Sequence, residues 1–232
     1  FSGYRRGPLW SGFSRMDGVI HPAVGTDAVS GAVSGGRSGA SRTGCADGSI
    51  IGPDRSASCR GGPDFALSVP PNGYAWWYVD ALSDDGQFGL TVIAFIGSVF
   101  SPYYARARRK AAAAPENHIA VNVALYGKGV RRWTMAERGR SALERSLDML
   151  RIGPSHLHWN GNALTLSLDE LAVPLPGRVR GTVRIIPQCL AAREFILDRS
   201  RRHIWQPIAP MARAEVQLSN PDLRWTGHAY FD

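Results

Sequence analysis

Cysteine is scarce in this chain. Its three copies, Cys45, Cys59 and Cys189, lie far apart with no CxxC pair among them, which supports neither a disulfide framework nor a zinc ribbon and makes a reducing cytoplasm the simpler setting. Long apolar runs are lacking as well. The strongest, FGLTVIAFIGSVF from Phe88 to Phe100, is shorter than the roughly 20 residues of a membrane span and is interrupted by Gly, Thr and Ser, so no transmembrane helix is expected. There is no GxSxG elbow, no Walker-type phosphate loop and no GxGxxG fingerprint, so hydrolase, nucleotide and dinucleotide readings lack their carriers. The opening FSGYRRGPLW has neither an initiating Met nor the uninterrupted apolar core of a signal peptide. The expectation is that the natural start is missing.

What is present is a chain of 232 residues with a formal charge of +8 and 44% hydrophobic residues, enough to bury a real core. The positive charge favours contact with something anionic, either nucleic acid or an acidic membrane surface. The densest basic run, ARARRKAAAA (Ala105 to Ala114), reads as a solvated loop, with membrane attraction as the sharper alternative. Arg and Lys are not interleaved with the aromatic residues as in a nucleic-acid surface, so no nucleic-acid partner is expected.

Residues 1–61 are rich in Gly, Ser, Ala and Arg, cannot bury enough apolar surface to offset chain ordering, and are expected to be irregular. After GGPDF the character changes. Apolar and aromatic runs such as YAWWYVDAL, HIAVNVALYG and HLHWNGNALTLSLDEL recur between turn residues, which predicts antiparallel sheet, a sandwich or a barrel. SDDGQ and NGN (Asn160 to Asn162) are hairpin turns in this reading, because Asn, Asp and Gly tolerate positive φ. AERGRSALERSLDML (Ala136 to Leu150) fits either a short helix or an irregular strand connection.

The residues that could carry chemistry alternate. Tyr74, Trp76, Tyr78 and Asp80 are two apart and share a strand face; so do His203 and Trp205, and again His228, Tyr230 and Asp232. If the first face is the interior of a β-structure, an acid stands among aromatic rings in a low-dielectric space, suited to chemistry on a greasy substrate. The plainer alternative is an aromatic core with Asp80 at a wet strand end. His156 and His158 also share a face and could bind a metal with His203 or His228, but no Cys or carboxylate cluster completes a site, and no metal is expected.

The stretch GYAWWYVDALSDDGQFGLTVIAFIGSVFSPYYARARR, with HIAVNVALYGKGVRRWTMAERGR, IGPSHLHWNGNALTLSLDEL, HIWQPIAPMARAEV and RWTGHAYFD, strongly resembles the carotenoid 1,2-hydratases, or hydroxyneurosporene synthases, of photosynthetic bacteria. The likeness runs from about Asp64 to Asp232. It implies an all-β, lipocalin-like architecture of two barrels, here a first barrel over 62–198 and the start of a second over 199–232. It also implies cofactor-free addition of water across the terminal C1–C2 double bond of acyclic carotenoids, with a carotenoid as partner and the inner membrane surface as the place of work. His203, Trp205, Tyr230 and Asp232 fall on the family's proposed active-site positions. Asp80, with Tyr74, Trp76, Tyr78 and His228 as substrate-binding neighbours, comes from the alternation alone. Family members run on past YFD, so the chain is expected to be a fragment. A non-catalytic polyene carrier, or an isomerase or pericyclase of the same fold, are the competing functions.

Overall fold

The computed structural model describes residues 61–173 and 177–232, so the expectation for the N-terminal Gly/Ser/Ala-rich segment lies outside the described residues except at Gly61. The expected all-β fold is found. Eleven strands form one antiparallel sheet: β1 (Ala75–Ser83), β2 (Phe88–Ile96), β3 (Ile119–Gly127), β4 (Val130–Arg138), β5 (Leu143–Arg145), β6 (Met149–Ile152), β7 (Ser155–Trp159), β8 (Leu164–Leu171), β9 (Arg178–Cys189), β12 (Ala209–Asn220) and β13 (Asp222–Phe231). The spatial order is β4-β3-β2-β1-β13-β12-β9-β8-β7-β6-β5. Two short strands, β10 (Phe195–Ile196) and β11 (Ile204–Trp205), pair separately in the β9–β12 connection.

The sheet curls into a lipocalin-like half-barrel, and a bridge between Thr134 and Ala172 brings β4 back against the end of β8. Both turn expectations hold. Gly86 in SDDG and Gly161 in NGN take positive φ (68° and 93°), and Asn160 Oδ1 accepts from the amides of Asn162 and Ala163. The Ala136–Leu150 stretch, open between helix and strand, is the end of β4, a short 3₁₀ turn, β5 and the start of β6.

Which face turns inward is decided by β2 rather than β1. Aromatic rings occupy both faces of β1, but on β2 one face carries Leu90, Val92, Ala94 and Ile96 and the other Gly89, Thr91, Ile93 and Phe95. The register Trp77↔Ala94, Val79↔Val92 therefore carries Trp77, Val79 and Ala81 into the core with Val121, Val123, Leu166, Val183, Val216 and Phe231. Each fully buried aliphatic side chain is worth about 1.5–3 kcal/mol, and the β2 face that carries four of them sets the direction where the β1 rings, present on both faces, do not. Tyr74, Trp76, Tyr78 and Asp80 consequently lie on the outer face. This corrects the interior placement: the barrel interior is filled by Trp77 and its neighbours.

While residues 111–114 of the basic run are irregular as expected, its charged part, residues 105–110, expected to be a loop, lies instead in the helix α1 (Pro102–Lys110). Ser101 caps it by accepting from the Tyr104 amide, Pro102 occupies its first turn, and Arg108, Arg109 and Lys110 close the last turn, where cations favour the helix dipole.

Candidate active site

The outer face at the β1–β13 junction is where the alternating residues meet. Tyr78 and Asp232 exchange both backbone hydrogen bonds (2.8 and 3.0 Å), and Asp80 lies opposite Tyr230. The residue that follows β13 and the middle of β1 therefore share one surface. The β9–β12 connection folds over it and contributes β11, so that Trp205 reaches the sheet from outside.

Asp232 is held by two donors on a single oxygen. Trp205 Nε1 donates to Oδ2 at 2.6 Å and Tyr230 Oη donates to the same atom at 2.7 Å, while Trp205 Nε1 also lies 3.1 Å from Tyr230 Oη. Oδ1 is buried and, among the described residues, has no hydrogen-bond partner. Burial raises the Asp232 carboxyl above the usual range, against the opposing pull of the Tyr230 and Trp205 hydrogen bonds. A group that is partly desolvated, with one oxygen fixed and the other free, is equipped to keep a proton and give it away.

Asp80 is mid-strand, three residues before β1 ends, and partly buried, which removes the wet-strand-end alternative. Thr91 Oγ1 donates to its Oδ1 at 2.8 Å. Its carboxyl is also raised, chiefly by burial and in opposition to hydrogen bonds from Thr91 and the Ala81 backbone. Tyr78 and Tyr230 are both pushed well above the ordinary phenol value, first by burial and then by neighbouring carboxylates. Both therefore remain neutral phenols.

His203 sits just before β11, and its Nδ1 lies 2.6 Å from Tyr74 Oη. Asp198 fixes the loop by accepting from the backbone amides of Arg202 and His203. The rings form a continuous line: His203 and Tyr74 centroids are 5.7 Å apart, Tyr74 and Trp76 5.2 Å, Trp76 and Phe95 6.1 Å, Phe95 and Phe100 5.3 Å. Tyr78 and Tyr230 are 6.2 Å apart, and Trp205 stacks on Phe195 at 5.2 Å.

The structure thus brings together Tyr74, Trp76, Tyr78, Asp80, His203, Trp205, Tyr230 and Asp232. His228 is placed apart, highly exposed beside Asp84 at 3.8 Å. Thr91, Asp198 and Phe195 were missed. Thr91 was findable, because counting outward from the SDDGQ turn sets it opposite Asp80; nothing in the sequence marks the other two. Among the described residues no cluster of His, Cys, Asp and Glu could hold a metal ion.

Fold and cluster together define a lipocalin-like β protein that keeps a carboxyl group with a raised proton affinity among aromatic rings. The chain belongs to the CrtC carotenoid hydratase family, whose model matches residues 92–232. It is 53% identical to the acyclic carotenoid 1,2-hydratase of Thiocapsa roseopersicina, over 98% of this chain and 56% of that protein. It is 51% identical to that of Rubrivivax gelatinosus, over 95% of this chain and 55% of the relative, and 46% identical to that of Cereibacter sphaeroides, over 61% and 49%. The chain thus spans about half the length of the curated relatives it matches. No solved structure matches it.

Proposed function

We propose that this protein adds water across the terminal C1–C2 double bond of an acyclic carotenoid, with Asp232 as the acid. The observation that carries the reading is the asymmetric carboxyl group: Oδ2 is tied to Trp205 and Tyr230 while Oδ1 is buried and free. Hydrating an isolated trisubstituted alkene requires a proton on the less substituted carbon, C2, which leaves a tertiary cation at C1. Asp is ordinarily ionised near pH 7, with a reference pKa of about 3.9; desolvation moves Asp232 in the direction an acid catalyst needs. The π faces of Trp205 and Tyr230 stabilise the cation, an interaction worth about 2 kcal/mol where water is excluded. Tyr74 and Trp76 offer the polyene a wall along the outer face, backed by the fully buried Phe95.

Access is proposed at an anionic membrane surface. No helix among the described residues is long and apolar enough to cross a membrane. The helix α1 carries Arg106, Arg108, Arg109 and Lys110 without an acidic residue in its first turn. Pro102, Tyr103, Arg106, Arg109 and Lys110 line an open concavity of about 540 Å³. The helix also sits at the Tyr74 end of the aromatic line, since Tyr104 Oη donates to the Gly73 carbonyl at 2.6 Å. Cationic residues near an anionic bilayer contribute about 1 kcal/mol each.

Incubation with neurosporene or lycopene in micelles tests the reading. The protein should be supplied both as this chain and in a longer form carrying the portion of its relatives that the chain does not span. A product heavier by one water is expected. Substrate returned unchanged by both forms would indicate a carrier, and a product of unchanged mass an isomerising or pericyclic enzyme.

A further inference from the structure

We propose that Asp80 is a second catalytic carboxylate of this site, holding the water that adds to the substrate and accepting its proton. This rests on the hydration reading above and extends it, because a proton donor alone completes only half of the reaction. The cation at C1 must be met by water, and that water must lose a proton.

The placement comes from the strand register. Tyr78 stands opposite Asp232 and Asp80 opposite Tyr230, so four side chains on one face form a square with the carboxyl groups on one diagonal and the phenols on the other. Diagonal neighbours of an antiparallel pair have Cα atoms roughly 7–8 Å apart. A general acid and a general base on two separate carboxyl groups, with a water held by the base, is the division of labour that inverting glycosidases use. The phenols are not competing bases, since both are held as neutral hydroxyls. Both carboxyl groups are raised by burial, so which of them keeps the proton is decided by the hydrogen bonds around each.

Local hydrogen bonds suggest which is which. Each carboxylate accepts two hydrogen bonds that favour its ionised form, Asp80 from Thr91 Oγ1 at 2.8 Å and the Ala81 backbone, Asp232 from Trp205 and Tyr230 on Oδ2 alone; the difference is that Asp232 Oδ1 is left without a partner among the described residues to carry the proton. Tyr78 lies close enough to both carboxylates to feel each of them. The steps then balance. Asp232 gives its proton to C2; the water oxygen bonds to C1 and passes one proton to Asp80; the tertiary alcohol leaves. The proton on Asp80 is then lost to solvent and Asp232 takes one up, restoring both groups.

The test runs hydration in D₂O with the unaltered protein, Asp80→Asn and Asp232→Asn. Unaltered protein should form the alcohol; its failure to do so would overturn the hydration reading itself. Asp80→Asn should lose at least about 10²-fold in alcohol formation while still exchanging deuterium into C2, because Asp232 still protonates the alkene and retrieves a proton when no water is activated. Asp232→Asn should lose both. Undiminished hydration by Asp80→Asn, or exchange lost together with hydration in a protein that melts normally, would overturn the assignment. If Asp80→Asn does not fold, Thr91→Val decides. Removing that donor should move the acid limb of the pH–rate profile upward and leave the alkaline limb in place, and an unmoved acid limb would sink the proposal.

Discussion

Trp205 Nε1 lies 2.6 Å from Asp232 Oδ2, a hydrogen bond made by a residue of β11, outside the main sheet, to the residue that follows β13. It favours the ionised carboxylate, so it restrains the rise in proton affinity that burial causes. Trp205→Phe keeps an aromatic face and removes the donor. The Asp232 carboxyl should then hold its proton to higher pH, and because the acid must be protonated to act, the alkaline limb of the pH–rate profile should move upward. The rate at the optimum should fall by about tenfold from lost positioning and a weaker acid.

Asp232→Asn should abolish hydration by at least about 10²-fold and yet stabilise the fold at neutral pH. The sign follows from linkage. A carboxyl whose proton affinity is higher in the folded state binds more protons folded than unfolded, so stability falls as pH rises above the unfolded value of about 3.9. Asn carries no such penalty. Thermal melts should show a higher Tm than the parent at pH 7, with the advantage shrinking as pH is lowered toward 4.

Tyr74→Phe preserves the ring line with Trp76 and removes the hydroxyl 2.6 Å from His203 Nδ1. A side-chain hydrogen bond of this kind contributes about 1 kcal/mol net, so a small fall in Tm is expected. The more telling readout is the His203 ring, whose Nδ1 resonance should shift in nitrogen NMR when its partner is lost. An unchanged resonance would mean that the contact does not orient the imidazole.

Gly227→Ala tests how tightly the two site strands are drawn together. A Cβ there would stand 1.9 Å from the Leu82 carbonyl oxygen, and a backbone atom cannot swing aside as a side-chain tip can. Overpacking typically costs about 1–3 kcal/mol. Urea denaturation should show a loss of this size, with activity falling further as the Asp80–Tyr230 register opens.

Replacing Arg106, Arg109 and Lys110 together by Ala should weaken binding to vesicles containing anionic lipid by about 3 kcal/mol at low ionic strength, at about 1 kcal/mol per cation. Binding to neutral vesicles should be unaffected. Turnover of substrate supplied in micelles should also survive, because these side chains lie at the helix surface and not among the aromatic rings.

Much of this was legible in the sequence. Alternation placed Tyr74, Trp76, Tyr78 and Asp80 on one face, the NGN and SDDGQ turns fixed hairpins, and resemblance brought His203, Trp205, Tyr230 and Asp232 into one set. What alternation cannot supply is direction. A period of two says that Trp76 and Trp77 point apart, but which enters the core depends on Val92 and Ala94 across the hairpin. His228 obeyed the same alternation as Tyr230 and yet stands at the exposed end of the site face, since periodicity carries no information about what covers a strand. The α1 helix is hard to read from composition because its signals, Ser101 and Pro102, precede the charges that dominate the segment.

The β1–β13 pairing has a kinetic side. Almost every other ladder in the main sheet joins strands adjacent or nearly adjacent along the chain, as hairpins do, whereas Asp80 and Tyr230 meet across nearly the whole described length. Short hairpins close in microseconds, but a contact of such large sequence separation must meet a much greater loop-closure cost and is reached late. A folding intermediate can therefore carry most of the native strand content and still have no site. Far-ultraviolet dichroism should recover ahead of hydration during refolding, so that catalytic competence becomes a clock for the last long-range step.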